Sequence, residues 1–192
     1  MTNVATTLLV LRGPSGCGKS TTATQLRESY GGRGLAIIRQ DEVRRNVLRE
    51  RDQDGAFTVT LIDIMARATL AAGIPCVVEG ILSARIYGPM LERLLADHPR
   101  SFAYFWDVPF EETVLRHYTK PNHHEWSVED MRNWYTPHDL LPSGVERIIG
   151  EQDCQQESVA RIVVETALLT TPRPPYATLA PDPVTAAPSS TP

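Results

Sequence analysis

The stretch LVLRGPSGCGKST, near the start of the chain, restricts the available folds more than any other feature. An apolar run reads as a strand over 7–11. Gly13 follows, then four residues, then Gly18-Lys19-Ser20, and from Lys19 a helical pattern spans 19–29. Strand, glycine-rich loop and helix in that order are the setting in which such a loop becomes a phosphate cradle, the P-loop. The glycines let the backbone turn tightly and aim several N–H groups at one point, and the helix adds its positive dipole end. The pattern places Gly13, Pro14, Ser15, Gly16, Cys17, Gly18, Lys19, Ser20 and Thr21 around the phosphates of a nucleotide. Lys19 reaches the β- and γ-phosphates, and the Ser20 hydroxyl binds Mg²⁺ with Thr21 as its neighbour in the helix. Cys17, a thiol beside a helix N-terminus, reads as a small residue at a tolerant loop position, with a reactive thiol as the alternative.

Four more apolar runs read as strands, at 35–39, 75–79, 102–107 and 145–149, with helical stretches between them at 59–72, 90–96 and 111–118 and a last helix at 157–169. In 59–72 a stripe of Leu61, Ile64, Met65, Ala68 and Ala72 stops at Gly73. Strands separated by helices imply parallel pairing with crossovers, hence a three-layer α/β/α sandwich around a mostly parallel five-stranded sheet.

Length and charge set further bounds. The 192 residues suit one domain. A net charge of −4 with no basic run argues against a nucleic acid held through its phosphates. Cys17, Cys76 and Cys154 are far apart and odd in number, which suits a reducing cytoplasm, and no apolar run is long enough for a membrane partner. From residue 171 to 192 the chain holds seven of its fifteen prolines and almost no charge, so 171–192 reads as a disordered Pro-rich tail.

The segment IIRQDEVRR puts Asp41 just past the second strand, where open α/β sheets bind ligands, facing the same crevice as Lys19. A carboxylate there can accept the proton of an attacking hydroxyl and aim it at a γ-phosphorus, or it can simply cap the next helix. Arg44 and Arg45 lie three and four residues on. Arg44 is the candidate for holding an acceptor, and Arg45 reads as solvated surface.

The P-loop at 13–20 followed by Asp41-x-x-Arg44 resembles a group of small P-loop kinases: zeta toxins, chloramphenicol phosphotransferase and the kinase domain of polynucleotide kinase. The resemblance covers about 7–170 and implies a P-loop NTPase fold of the nucleotide-kinase type, with residues 1–170 as the kinase domain. It also implies ATP and Mg²⁺ as cofactors, Asp41 as general base and Arg44 as an acceptor-binding residue.

Further polar strand ends extend the pattern. The third strand ends in Glu79-Gly80, resembling a carboxylate that orients a Mg²⁺-bound water or the acceptor, although Asp is the usual residue. After 102–107, Pro109 opens a helix with Glu111 and Glu112 in its first turn and Arg116 near its end. In the resembling families an arginine here contacts the ATP phosphates, and Lys120 is placed to assist. A polar stretch with Ser127 and Asp130 as a capping-box variant reads as a lid near 117–136. His117, His123 and His124 lack ligand spacing for a metal and read as part of a wet lid. Trp126, Trp134, Tyr135 and Tyr87 read as core, with the lining of an acceptor pocket as the alternative.

The leading expectation is therefore an ATP- and Mg²⁺-dependent kinase acting on a hydroxyl of a small molecule (antibiotic, nucleoside, sugar or sugar nucleotide), with Lys19 and Arg116 dispersing charge. A polynucleotide 5′-hydroxyl kinase and a nucleotide-dependent switch ATPase without an acceptor are the alternatives. No motif reveals the acceptor, and the oligomeric state is unmarked.

Overall fold

The computed structural model describes residues 6–119, 124 and 126–174. Five strands form one wholly parallel sheet: β1 (Leu8–Arg12), β2 (Ala36–Arg39), β3 (Cys76–Gly80), β4 (Ser101–Asp107) and β5 (Glu146–Gly150), in the spatial order β2-β3-β1-β4-β5. The central strand, β1, is buried along its whole length, which is why it reads as an unbroken apolar run. Its alternate residues serve different layers. Leu8 and Val10 join Ile62, Ala66, Leu91 and Leu94, whereas Leu9 and Leu11 join Ala23, Leu26 and Ile162. Each fully buried leucine contributes roughly 1.5–3 kcal/mol, so β1 is the anchor of both cores.

The helices covering the first face are α2 (Phe57–Ala71) and α3 (Ala84–Asp97); α1 (Lys19–Ser29) and α6 (Gln155–Thr166) cover the other. From β1 the chain runs outward to β2, returns to β3, then crosses to β4 and β5 on the far side. The loops after β1 and its neighbours therefore diverge at the carboxyl ends of the central strands, leaving a crevice there. Further along are α4 (Phe110–Tyr118) and α5 (Val128–Trp134). The expected box at the start of α5 is formed: Ser127 Oγ accepts from Asp130 N, and Ser127 N donates to Asp130 Oδ2.

Several expectations need correction. The buried face of α2 is Thr58, Ile62 and Ala66; Ile64 and Met65 are exposed, as are Ala68 and Ala72. Apolar residues surround much of this helix, and the smaller Thr58 and Ala66 let it lie close to the sheet. α3 starts before Met90 and runs through Gly88 and Pro89, because Tyr87, Leu91 and Leu94 bury a stripe that outweighs one missing backbone hydrogen bond. The last helix stops at Ala167, whose φ of 48° breaks it before a short 3-10 turn at Leu168–Thr170. Between β2 and α2 lies a π-helical segment, Glu42–Leu48, ended by Arg49 at a φ of 51°.

At the start of the expected tail, Thr171 is buried and bonds Thr7 through its hydroxyl, while Tyr30 Oη donates to the carbonyls of Thr171 and Pro172. Residues 175–192 lie outside the described residues, as do Lys120, His123 and part of the expected lid segment. Among the described residues no helix is long and apolar enough to cross a membrane.

Candidate active site

The loop between β1 and α1 is held by backbone constraints. Gly13, Gly16 and Gly18 have φ of 140°, 87° and 108°, in the region that favours glycine. A Cβ on Gly13 would come to 2.8 Å of the Trp106 carbonyl, so the loop is pressed against β4 at a distance no side chain permits. Pro14 and Gly16 are buried, Ser15 is half-buried, and Cys17 packs into the core beside Ala23 and Trp106. Lys19 opens α1 and is itself buried. Its ammonium donates to the Pro14 carbonyl at 2.7 Å and reaches the Cys17 sulfur at 3.4 Å, so the cation is folded into the curve of its own loop. Ser20 and Thr21 are exposed one and two residues on.

Arg116 lies at the rim of this loop. It donates to the Cys17 carbonyl at 3.3 Å, to the Glu151 carbonyl at 2.9 Å and to Glu112 at 2.7 Å. The acidic first turn of α4 thus supplies the partner that holds it, and these contacts brace the loop from the α4 side.

Across the strand ends, Glu79 is buried with both oxygens engaged. Oε2 accepts from Ser20 Oγ at 3.2 Å, and Oε1 pairs with Arg39 Nε at 3.2 Å. Arg39 also donates to Thr24 on α1 at 3.1 Å. Arg39 was not singled out in the sequence, yet a signal existed: a cation ends one strand and an anion the next, and the parallel register sets Arg39 directly opposite Glu79. Serine hydroxyl and glutamate carboxylate together are hard oxygen donors that fit Mg²⁺, which takes few protein ligands and completes its shell with water and phosphate. Among the described residues no cluster of three His, Cys, Asp or Glu side chains is placed to hold a metal more fully.

Just beyond β2, the Asp41 side chain is 63% exposed and receives two guanidinium groups: Arg44 at 2.8 Å and Arg45 at 3.1 Å. Both bonds fall on Oδ1. Exposed pairs of this kind stabilise a fold by only about 0–1 kcal/mol, so their consequence is orientation: the carboxylate is held through one oxygen, and neither arginine uses Oδ2. The Asp41 side chain makes no capping bond to the π-helical segment, so the capping alternative is not realised. The Arg44 Nε is buried without a hydrogen-bond partner. Arg45 is not free surface; its guanidinium lies over the Trp126 ring, 3.9 Å from the centroid.

Beneath Asp41 the residues bind one another. Gln40 is buried; its Oε1 accepts from Leu82 N at 2.9 Å, and its Nε2 donates to Asp52 and to the Tyr87 hydroxyl, each at 3.0 Å. Tyr87 donates to Asp52 at 2.7 Å, and burial, with that carboxylate beside it, pushes its hydroxyl well above the ordinary tyrosine range. Glu50 accepts from Phe57 N, Thr58 N and Thr58 Oγ1, each at 2.8 Å, capping α2 from a distance and holding its own carboxyl below the usual range. Asp54 pairs with Arg85. Glu50 is thus tied to the start of α2, while Asp52 and Asp54 both reach α3, Asp52 also holding Gln40.

Two other expectations change, and one buried residue enters that none of them covered. Arg12, the last residue of β1, is fully buried between Glu146 at 2.7 Å and Asp139 at 3.2 Å. Its Nε donates to the Leu82 carbonyl, and nothing in the sequence marked it. His117 is not part of a wet segment; it is buried on α4, with Nε2 donating to the Trp126 carbonyl at 3.2 Å. Trp126 and Trp134 are half-buried rather than core, whereas Tyr87 is core as read. Cys76 is inert, its thiol pushed up to about 12 by burial.

The architecture is that of the P-loop NTPases as kinases carry it, with the loop, the Ser20–Glu79 pair and Asp41 at the carboxyl ends of the strands. The family described as an AAA domain matches residues 8–104, half of the sequence, and the chain belongs to it. Comparison with curated proteins found no match. Among solved structures the chain is similar to a sugar kinase from Janibacter sp. at 17% identity and a TM-score of 0.61, covering 85% of this chain and 96% of that one. It is similar to a gluconokinase from Sinorhizobium meliloti at 17% identity and 0.60, covering 86% and 94%. It is likewise similar to the APS kinase of Mycobacterium tuberculosis, solved in complex with AMPPNP and APS, at 15% identity and 0.61, covering 85% and 98%.

Proposed function

We propose that the protein is an ATP- and Mg²⁺-dependent kinase that transfers a γ-phosphoryl group to a hydroxyl of a small molecule, within the zeta toxin, chloramphenicol phosphotransferase and polynucleotide kinase-like group. The observation that carries the reading is Asp41: an exposed carboxylate just beyond β2, held through one oxygen by two arginines, on the same end of the sheet as the Lys19 loop. Its free Oδ2 accepts the hydrogen bond of an acceptor hydroxyl, aims that oxygen and takes its proton. Arg44, with an unpartnered Nε behind it, holds a polar or anionic part of the acceptor.

On the donor side the backbone N–H groups of 13–18 cradle the phosphates, and Lys19 exchanges its bond to Pro14 for the β- and γ-oxygens. Bound magnesium, held by Ser20 with Glu79 at its side, would neutralise phosphate charge. Arg116 supports the loop and supplies positive charge at its rim. In this reading residues 1–170 are the kinase domain with a lid near 117–136, and the Pro-rich 171–192 takes no part in catalysis. The similar sugar kinase, gluconokinase and APS kinase structures support a small-molecule acceptor rather than a polynucleotide, as does the net charge of −4. Three free cysteines suit a cytoplasmic setting.

The test is transfer from γ-labelled ATP to a pooled panel of hydroxyl metabolites. Labelled organic product, dependent on added magnesium, is expected. Label appearing only as inorganic phosphate, whatever the pool, would favour a switch ATPase instead.

A further inference from the structure

Arg45 is where the two sides of the crevice touch. Its Nε donates to Asp41 Oδ1 at 3.1 Å, while its flat face lies over Trp126 at 3.9 Å, with Trp134 at 5.9 Å. The two tryptophans stand edge to face, 5.5 Å apart, one just before the Ser127 cap and the other at the last residue of α5. Behind them the Trp126 carbonyl accepts from His117 on α4, and the neighbouring Arg116 donates to the Cys17 carbonyl in the phosphate loop. A continuous set of contacts therefore runs from the phosphate loop through α4 and Trp126 to Arg45 and Asp41.

A guanidinium suits this junction for a specific reason. It is planar, so it can stack on an aromatic face while its N–H groups remain free in the plane for a carboxylate. An ammonium offers charge but no face. The stack on Trp126 fixes the plane of Arg45, and that plane fixes the line along which Oδ1 is held.

We propose that Arg45 is a positioning residue that makes the seating of α5 and the aiming of Asp41 one event. The inference rests on reading Asp41 as the acceptor-side base. With Trp126 on the guanidinium, Arg44 and Arg45 converge on Oδ1 and Oδ2 points to the acceptor. With α5 displaced, Arg45 loses its fixed plane, and the carboxylate is held by Arg44 alone.

The test uses the full chain as wild type, Arg45→Lys, Asp41→Asn and the double variant. Acrylamide quenching of tryptophan emission is measured with AMPPNP and magnesium present, beside transfer from γ-labelled ATP. Trp106 is buried in β4, so quenching reports chiefly Trp126 and Trp134. Both single variants should lose protection from acrylamide. Arg45→Lys should lower the transfer rate about five- to tenfold at unchanged AMPPNP affinity, and should cost nothing further once Asp41 is Asn. Trp126→Phe, which keeps a ring face, should retain most of the rate. Wild-type protection in both single variants would overturn the proposal, and so would an equal rate loss from Arg45→Lys with and without Asp41. A wild type that transfers no phosphate, while both variants lose protection, would sink the kinase reading and leave the coupling of Asp41 to α5 intact.

Discussion

Around the phosphate loop, position is set by backbone: three glycines at positive φ, a strand that is buried throughout, and a lysine bonded to a carbonyl of its own loop. Around Asp41, position is set by side chains far apart in sequence, in pairs such as Arg45 with Trp126 and Gln40 with Asp52. The loop thus consists of local constraints that tolerate few residues at each place. The surroundings of Asp41 are instead a set of partnerships between residues far apart in sequence.

The largest expected effect lies where the two sides meet the frame. Arg12→Met leaves Glu146 and Asp139 without their guanidinium and should cost about 3–5 kcal/mol of stability. For a chain of this length that is a fall of roughly 10 °C in Tm, read by thermal unfolding. A change below a couple of degrees would mean that the buried triad does not hold the sheet front together. Lys19→Met should act on chemistry instead, lowering turnover about 10²–10³-fold, or ~3–4 kcal/mol, with little change in Tm. An equal loss of folding stability would blur the distinction between frame and loop.

Glu79→Gln probes the seam between the sides. It weakens both the Ser20 and Arg39 contacts, and the magnesium needed for tight AMPPNP binding should rise about 10–100-fold. An unchanged magnesium requirement would remove Glu79 from the metal site. The smallest effect belongs to Glu50, whose carboxyl is lowered by three hydrogen bonds from the start of α2. A depressed folded pKa means stability that is present above the ordinary value of 4.5 and lost as pH falls through the lower folded value. Glu50→Gln should therefore flatten the acid side of the stability profile below about pH 4.5 and leave its alkaline side in place. A wild-type acid slope in the variant would show that the cap carries no linkage.

The same contrast explains what could be read in advance. The span of α1 coincides with its sequence pattern because a glycine loop starts it and a glycine pair follows it. The five strands were legible as apolar runs, and their order followed from crossover rules only as far as parallel pairing. The face of α2 was not legible, since apolar residues lie on both of its sides and only the sheet decides between Ile62 and Ile64. Arg12, Gln40 and Arg45 were invisible for a different reason. Their roles depend on Glu146, Asp52 and Trp126, and nothing local marks a residue whose partner is brought by folding. Arg39 was within reach, because register alone pairs it with Glu79.

The most direct test of the account compares Asp41→Asn with the wild type in two assays on the same preparation: AMPPNP affinity and the rate of phosphoryl transfer to the acceptor pool. Unchanged nucleotide affinity is expected, with transfer slower by about 10²–10⁴-fold, the usual contribution of a positioned base. Transfer at the wild-type rate would remove Asp41 from the chemistry, and loss of nucleotide binding would place it on the donor side, contradicting the division on which the account stands.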